Sequence, residues 1–286
     1  MGDRALVLGA GGLVGSALAR EPGVRGLTRA DLDLTDAAAV ARTLDALRPR
    51  AVINAAAQAR VDLADQEPER AFLVNAEAPA TLAALCAARG VRLVHLSTDY
   101  VLDDPRPGRL DEDTPTRPRS VYARSKLAGE QAALAHGAVV VRVQWVYDPR
   151  HPGFYARMVE LLRRGETPRL VTDQIGSPTP ARLLAPALLA AAAGGPVGLY
   201  HLACGGETTP WGWIAAAADA LGLPLNATPT TRAALGGAWR PARSCLDSGR
   251  YARDFGVRLP DWDEALRQVM ALAGPWSPPT PGSGPR

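Results

Sequence analysis

Short apolar blocks alternate along the chain with longer stretches of helical spacing. Residues 4–8 (RALVL), 51–57 (AVINAAA), 91–97 (VRLVHLS) and 139–147 (VVVRVQWVY) read as strands buried on both faces, and a further strand is expected near 24–28. Between them, residues 36–47 set Val40, Leu44 and Leu47 on one helical face. Residues 68–89 read as one long helix, and about 121–136 as another. A helix begun over 16–20 is stopped early by Glu21-Pro22-Gly23. Strands alternating with helices predict an α/β fold: a Rossmann-type doubly wound parallel sheet over residues 1–150, taking in part of 175–205 as the alternative. Most of 151–274 breaks the pattern. Its loop-like stretches TDQIGSPTP, GGPVGLYHLACGGETTP and GGAWRPARSC predict the walls of a smaller C-terminal substrate-binding lobe. The Pro- and Gly-rich end, 275–286, reads as a disordered tail.

Composition narrows the class. The 286 residues are 47% hydrophobic, enough for one large α/β domain with an appendage. Mean hydropathy is −0.06, and no run of eighteen uncharged apolar residues occurs, so no membrane partner is expected. The N-terminus mixes acid and base before running into glycines, unlike a signal peptide, and Leu6 stands where myristoylation needs Ser or Thr. Three cysteines without metal-ligand spacing read as reduced thiols, and four isolated histidines give no metal set; a cytoplasmic protein without a metal is expected. A net charge of +3, with bases scattered among acids, gives no support for nucleic-acid binding. One count carries more. Of 32 Lys plus Arg, a single residue, Lys126, is lysine. A composition that turns lysine into arginine wherever arginine serves has kept it there, which marks a position where a planar, bulky guanidinium would fail.

The chemistry-bearing motifs fall at the ends of predicted strands. Gly9, Gly12 and Gly15 form G-x-x-G-x-x-G directly after the first strand, with Leu13 and Val14 between them. In that strand–turn–helix context, glycines let a helix N-terminus approach a pyrophosphate. Tyr122 and Lys126 stand i and i+4 on one helix, so a phenol able to protonate a carbonyl oxygen has an ammonium alongside. The cation is expected to lower the tyrosine pKa and to hold the ribose hydroxyls of a nicotinamide cofactor. Thr98, at the carboxyl end of the strand 91–97, is placed to hydrogen-bond the same carbonyl. Ala55, Ala56 and Ala57 end the preceding strand with side chains small enough for a cofactor to approach. Asn75, on the following helix, is read either as a water-linked support for the lysine or as a solvated surface residue. Trp145 ends its strand towards the expected pocket. Past the second strand, Arg29 precedes Asp31. An arginine there accommodates a 2′-phosphate and a carboxylate selects NADH, so NADPH is expected, with NADH as the alternative.

The blocks GAGGLVG, VINAAA…VD, AFLVN, LSTDYV, VYARSKLAGEQ, VRVQWVY, TDQIGSPT, LYHLACGGET and RPARSCLD occur in that order over about residues 1–270. On them the chain resembles the dTDP-4-dehydrorhamnose reductase family, which belongs to the extended short-chain dehydrogenases. The resemblance implies an NAD(P)H-dependent oxidoreductase acting on the C4 keto group of a nucleotide-linked 4-keto-6-deoxy sugar, with dTDP-4-dehydro-L-rhamnose as the leading substrate and a homodimer allowed for. It implies Thr98, Tyr122 and Lys126 as the catalytic triad and Gly9, Gly12 and Gly15 as the pyrophosphate loop. Asp33 and Leu34 fall beside the adenine, Ala56 and Ala57 along the cofactor, and Val61, Thr98, Asp99, Tyr100 and Trp145 towards the sugar. The sequence departs from the family pattern at Gln58, Ala59, Gln144, Asp148, Gly153 and Arg243, and in reading VLDD after STDY. Intact chemistry with altered walls favours an active reductase. Two alternatives stay open: a reductase of another nucleotide-activated keto sugar, and a non-catalytic NADP-binding regulatory subunit, against which the intact triad argues.

Overall fold

The computed structural model describes residues 5–104 and 106–273; the tail expected at 275–286 lies outside them. Six parallel strands form the central sheet. They are β1 (Ala5–Leu8), β2 (Val24–Leu27), β3 (Ala51–Asn54), β4 (Arg92–Thr98), β5 (Val139–Val143) and β9 (Gly198–Leu202), in the order β2-β1-β3-β4-β5-β9. β1 is central in the first half, and the order reverses between β1 and β3, as in dinucleotide-binding folds. The sheet therefore takes its sixth strand from chain beyond residue 151.

The inner strands are mainly apolar because both faces are covered, whereas the edge strand β2 carries the exposed Arg25. Val7, Ile53, Val94, Val139 and Val141 pack with Leu184 and Leu188 of α8 (Ala181–Ala193). Their neighbours Leu6, Leu8, Val52, Leu93 and Val140 pack on the other side, with Val40 and Leu44 of α2 (Ala37–Leu47) and Leu82 of α5 (Ala78–Ala87). Asp36 caps α2 by accepting the Ala39 N–H at 2.9 Å. A third core, with Tyr147, Tyr155, Leu162, Leu170, Trp213 and Leu266, lies outside the sheet. It draws on α7 (Phe154–Arg163), β7 (Arg169–Val171), α9 (Pro210–Ala220) and α12 (Trp262–Ala273).

Three elements differ from the pattern-based expectation. The first helix, α1, runs over Leu13–Leu18 and starts directly at the glycines rather than at residue 16. The expected helix 68–89 is α4 (Pro68–Phe72), a π-turn (Leu73–Glu77) and then α5; a short α3 (Val61–Gln66) precedes it. The run 139–147 is broken. Trp145 takes φ +40°, a left-handed conformation rare for a bulky residue. It turns the chain so that β6 (Val146–Tyr147) leaves the sheet and pairs with β8 (Thr179–Pro180). Apolar periodicity reports burial and is blind to such a turn. Among the described residues no helix is long and apolar enough to cross a membrane, and Cys86, Cys204 and Cys245 are free and buried.

Candidate active site

The glycine loop is built by close approach. Gly9 has φ +81°, and a Cβ there would lie 2.7 Å from the backbone of Ala56. A Cβ on Gly15 would lie 2.0 Å from the Gly9 carbonyl oxygen, so no side chain fits without moving backbone. α1 is thereby pressed against the ends of β1 and β3. Its N-cap, Gly12, contributes no side-chain acceptor, which leaves the first-turn N–H groups to an anion. Val14 is buried in the core below, while Leu13 lines the large cavity described next. Ala55 donates its N–H to Leu8 at 3.0 Å, and Ala56 to the Asn54 Oδ1 at 3.1 Å, so the small-residue turn is held on both sides; Ala57 is exposed.

Asn75 is fully buried in the π-turn and is not a solvated residue. Its Oδ1 accepts the Gln58 N–H at 2.8 Å, and its Nδ2 donates to the Gln58 carbonyl at 3.2 Å and to Ser125 Oγ at 3.0 Å. It thus clamps the loop after β3 to α6 (Val121–Ala135), one residue before Lys126 on that helix. The clamp needs contact between backbones. A Cβ on Gly129 would lie 2.0 Å from the Asn75 carbonyl oxygen, so α6 can sit on the π-turn only with glycine there.

Ser120 caps α6 and accepts the Ala123 N–H at 3.1 Å. One turn in, Tyr122 meets Thr98 from the end of β4, whose hydroxyl acts on the phenol. Lys126 is 3% exposed and donates to the Leu96 carbonyl at 2.6 Å. Burial lowers its ammonium to about 8, against the pull of Glu130. The expected lowering of the tyrosine is not found. Burial pushes the Tyr122 phenol up to about 12; the Thr98 hydroxyl favours its ionisation and the Asp99 charge opposes it. The phenol raised by burial stays protonated, the form a proton donor needs.

Asp99, expected beside the sugar, is 2% exposed, and its carboxylate is turned inward. It accepts from Ser244 Oγ at 2.6 Å and from Gln144 Nε2 at 3.3 Å, while burial raises it to about 7. Gln144, one of the departures from the family pattern, is fully buried. It also donates to the Ser244 carbonyl at 2.6 Å and accepts the Ser177 N–H at 3.1 Å. Sequence reasoning missed this knot, because nothing in the chain pairs positions 99, 144 and 244. Arg243 lies elsewhere, ion-paired with Glu207.

A cavity of about 830 Å³ opens beside Tyr100; Thr98, Tyr122 and Lys126 are not among its lining residues. Val61, Tyr100 and Trp145 line it, as do Ala59 and Gly153. Tyr100 stands edge-on to Tyr122, with ring centroids 5.8 Å apart. Trp145 stacks on Trp213 at 6.3 Å, and Phe154 and Tyr155 each lie 5.6 Å from the same ring. Arg60, Arg169, Arg232 and Arg240 add positive charge to the lining, offset by Asp62, Asp148 and Asp173. At the tip of β2, Asp31 folds back to accept the Thr28 N–H at 2.8 Å and its hydroxyl at 2.7 Å. Arg29 lies 3.6 Å from Asp33, whose other oxygen accepts the Thr35 N–H at 3.0 Å; the neighbouring Leu34 is buried.

A parallel sheet with a glycine turn after β1, and a hydroxyl, a phenol and an ammonium gathered at β4 and α6, defines an extended short-chain dehydrogenase/reductase. A family model described as "RmlD substrate binding domain" matches residues 3–273. The chain is 39% identical to a dTDP-4-dehydrorhamnose reductase from Streptomyces griseus, covering 98% of this chain and 97% of the other. It is 36% identical to a dTDP-4-keto-6-deoxy-D-glucose reductase from Streptomyces niveus, over 95% and 98% of the two chains. The crystal structure of a Bacillus anthracis dTDP-4-dehydrorhamnose reductase in complex with NADP superposes with a TM-score of 0.88 at 27% identity, covering 95% of this chain and all of that one. The chain belongs to the dTDP-4-dehydrorhamnose reductase family.

Proposed function

We propose that this protein reduces the C4 keto group of a nucleotide-linked 4-keto-6-deoxy sugar, converting dTDP-4-dehydro-L-rhamnose to dTDP-L-rhamnose with NADPH, and with NADH as the weaker alternative. The observation that carries the reading is the convergence of Thr98, Tyr122 and Lys126 at β4 and α6, with Tyr122 meeting, through Tyr100, a cavity large enough for a sugar nucleotide. The residues present suit a dinucleotide: uncapped N–H groups open α1, and the clash-free Gly11 and Gly12 leave room above them. When bound, the reduced nicotinamide supplies the hydride. Tyr122 gives its proton to the carbonyl oxygen as negative charge grows there, and a phenol held near 12 stays protonated until that moment. Thr98 orients the same oxygen. Lys126 holds ribose hydroxyls, with Leu96 fixing its ammonium. Residues 151–274 serve mostly as the substrate lobe, and Val61, Tyr100 and Trp145 are the residues through which the cavity meets the sugar. Asp99 acts through Thr98 and Ser244 rather than by touching the sugar itself.

The relative named for dTDP-4-keto-6-deoxy-D-glucose supports a second reading, reduction of a C4 ketone in a sugar of different stereochemistry. The altered rim residues Ala59 and Gly153 bear on that choice. Oxidation of NADPH and of NADH, followed with both keto sugars and with keto sugars on other nucleotides, tests the proposal. Turnover of a dTDP-linked 4-keto sugar is expected. Cofactor binding without turnover of any of them would sink the proposal and favour a regulatory subunit.

A further inference from the structure

The cavity has two rims that come from distant parts of the chain, Arg60–Asp62 at the start of α3 and residues 236–240 after α10 (Arg232–Leu235). One carboxylate ties them together. Asp62 accepts the Ala238 N–H at 2.7 Å through Oδ1 and the Arg240 guanidinium at 2.8 Å through Oδ2. Every hydrogen bond and ion pair described between residues 236–240 and α3 ends on this side chain. The crossing segment starts on two glycines of positive φ, Gly236 at +73° and Gly237 at +88°, a backbone that turns sharply. It packs so closely that a Cβ on Gly237 would lie 2.8 Å from the Asp62 Oδ1. α3 is itself fixed to the catalytic helix, because Asp65 accepts the Val121 N–H of α6 at 2.9 Å. The segment is thus registered against Tyr122 through one turn of helix. Asp62 is half exposed, so its pair with Arg240 is screened and can open.

We propose that residues 236–240 form a strap closing the sugar-nucleotide pocket, and that Asp62 is the positioning residue that latches it. The proposal rests on the reading of that pocket given above. With the latch intact, bound nucleotide sugar is retained under the strap; without it, substrate escapes faster while the chemistry at Tyr122 is untouched. The Ala238 N–H, and then Arg240, hold the Asp62 carboxyl below the usual carboxylate range, so the latch stays charged at neutral pH.

Three variants test this in the NADPH-loaded enzyme: Asp62→Ala, Asp62→Asn, which keeps an oxygen for the Ala238 N–H, and Arg240→Lys, which keeps a positive charge in the cavity lining while loosening the ion pair and so guards against misfolding of the first two. Amide exchange at residues 236–240 is expected to quicken in Asp62→Ala. KM for the keto sugar is expected to rise roughly five- to tenfold, less in the other two, with kcat and the Kd for NADPH unchanged. Faster exchange with unchanged KM would overturn the proposal, and so would a fall in kcat at constant KM. If the wild-type protein turns over no keto sugar, the reading of the pocket fails separately. The Kd for deoxythymidine diphosphate then decides the strap: weaker binding in Asp62→Ala sustains it, and equal binding overturns it.

Discussion

Lys126 and Arg29 are both cations expected along the path of one dinucleotide, yet their settings are opposite. Lys126 is buried beneath α6, bonded to a carbonyl at 2.6 Å, with Glu130 and the Asn75–Ser125 clamp around it. The Arg29 side chain is 68% exposed at the tip of β2, and its ion pair with Asp33 is a loose 3.6 Å contact. A buried group with few partners has one geometry, and disturbing it leaves other groups unpaired. An exposed group can re-aim at little cost and contributes correspondingly little. The triad is therefore expected to behave as an all-or-none unit, and the strand tip as a graded preference.

The sharpest way to break that contrast is at the proton donor. Tyr122→Phe keeps the ring against Tyr100 and removes only the hydroxyl. Loss of general acid catalysis should lower kcat by roughly two or more decades with little change in NADPH affinity. A variant retaining most of the wild-type kcat would take Tyr122 out of the mechanism and leave the β4–α6 junction merely structural.

Lys126→Arg asks whether the lone lysine is there for its shape. The site receives an ammonium under the Leu96 carbonyl, and a guanidinium needs a wider seat than a side chain 3% exposed can find. Displacing the groups around it should cost about a hundredfold in kcat/KM. The pH dependence checks the same point. Burial lowers the Lys126 ammonium to about 8, so the charge is present below that pH and is lost as pH rises through it. The Kd for NADPH should therefore weaken between pH 7 and 9 in the wild type and stay flat in Lys126→Met. Full activity in Lys126→Arg would make its survival an accident of composition.

How far the sequence could be read follows the same division. The glycine loop, the Tyr122–Lys126 spacing and Thr98 at a strand end were legible because each is a local arrangement: a turn, one helix face, the end of one apolar run. The π-turn at Leu73–Glu77 was not, since its helical spacing differs from an α-helix by one residue and Asn75 is buried by a helix fifty positions away. The break at Trp145 was hidden because β5 and β6 are equally apolar, and only the partner strand, β8, distinguishes them. The tie from Asp62 to Ala238 and Arg240 joins positions far apart in the chain and has no local mark beyond Gly236-Gly237. The Tyr122 phenol departs from expectation for a related reason: spacing brings Lys126 to the same helix face, but it says nothing about the burial that raises the phenol.

The smallest effect is expected at the tip of β2, where cofactor choice is decided. Asp31 is the residue that could select NADH, yet its carboxylate is occupied by the Thr28 N–H and hydroxyl, which hold it below the usual carboxylate range. To reach a ribose hydroxyl it would have to give up both. Among the described residues Arg29 has a loose contact with Asp33 to lose, and a 2′-phosphate offers a stronger partner. A charge-assisted contact of this kind contributes about 1.5–3 kcal/mol when formed, and exposure moves the expectation to the lower end. Arg29→Ala should therefore weaken NADPH about tenfold and leave NADH unchanged. Asp31→Ala should change the ratio far less, because it removes a turn contact rather than a cofactor contact. Dissociation constants for both cofactors with both variants decide the matter. An NADPH/NADH ratio untouched by Arg29→Ala would make Arg29 a surface arginine, and a ratio moved mainly by Asp31→Ala would show that the carboxylate leaves Thr28 when the dinucleotide binds.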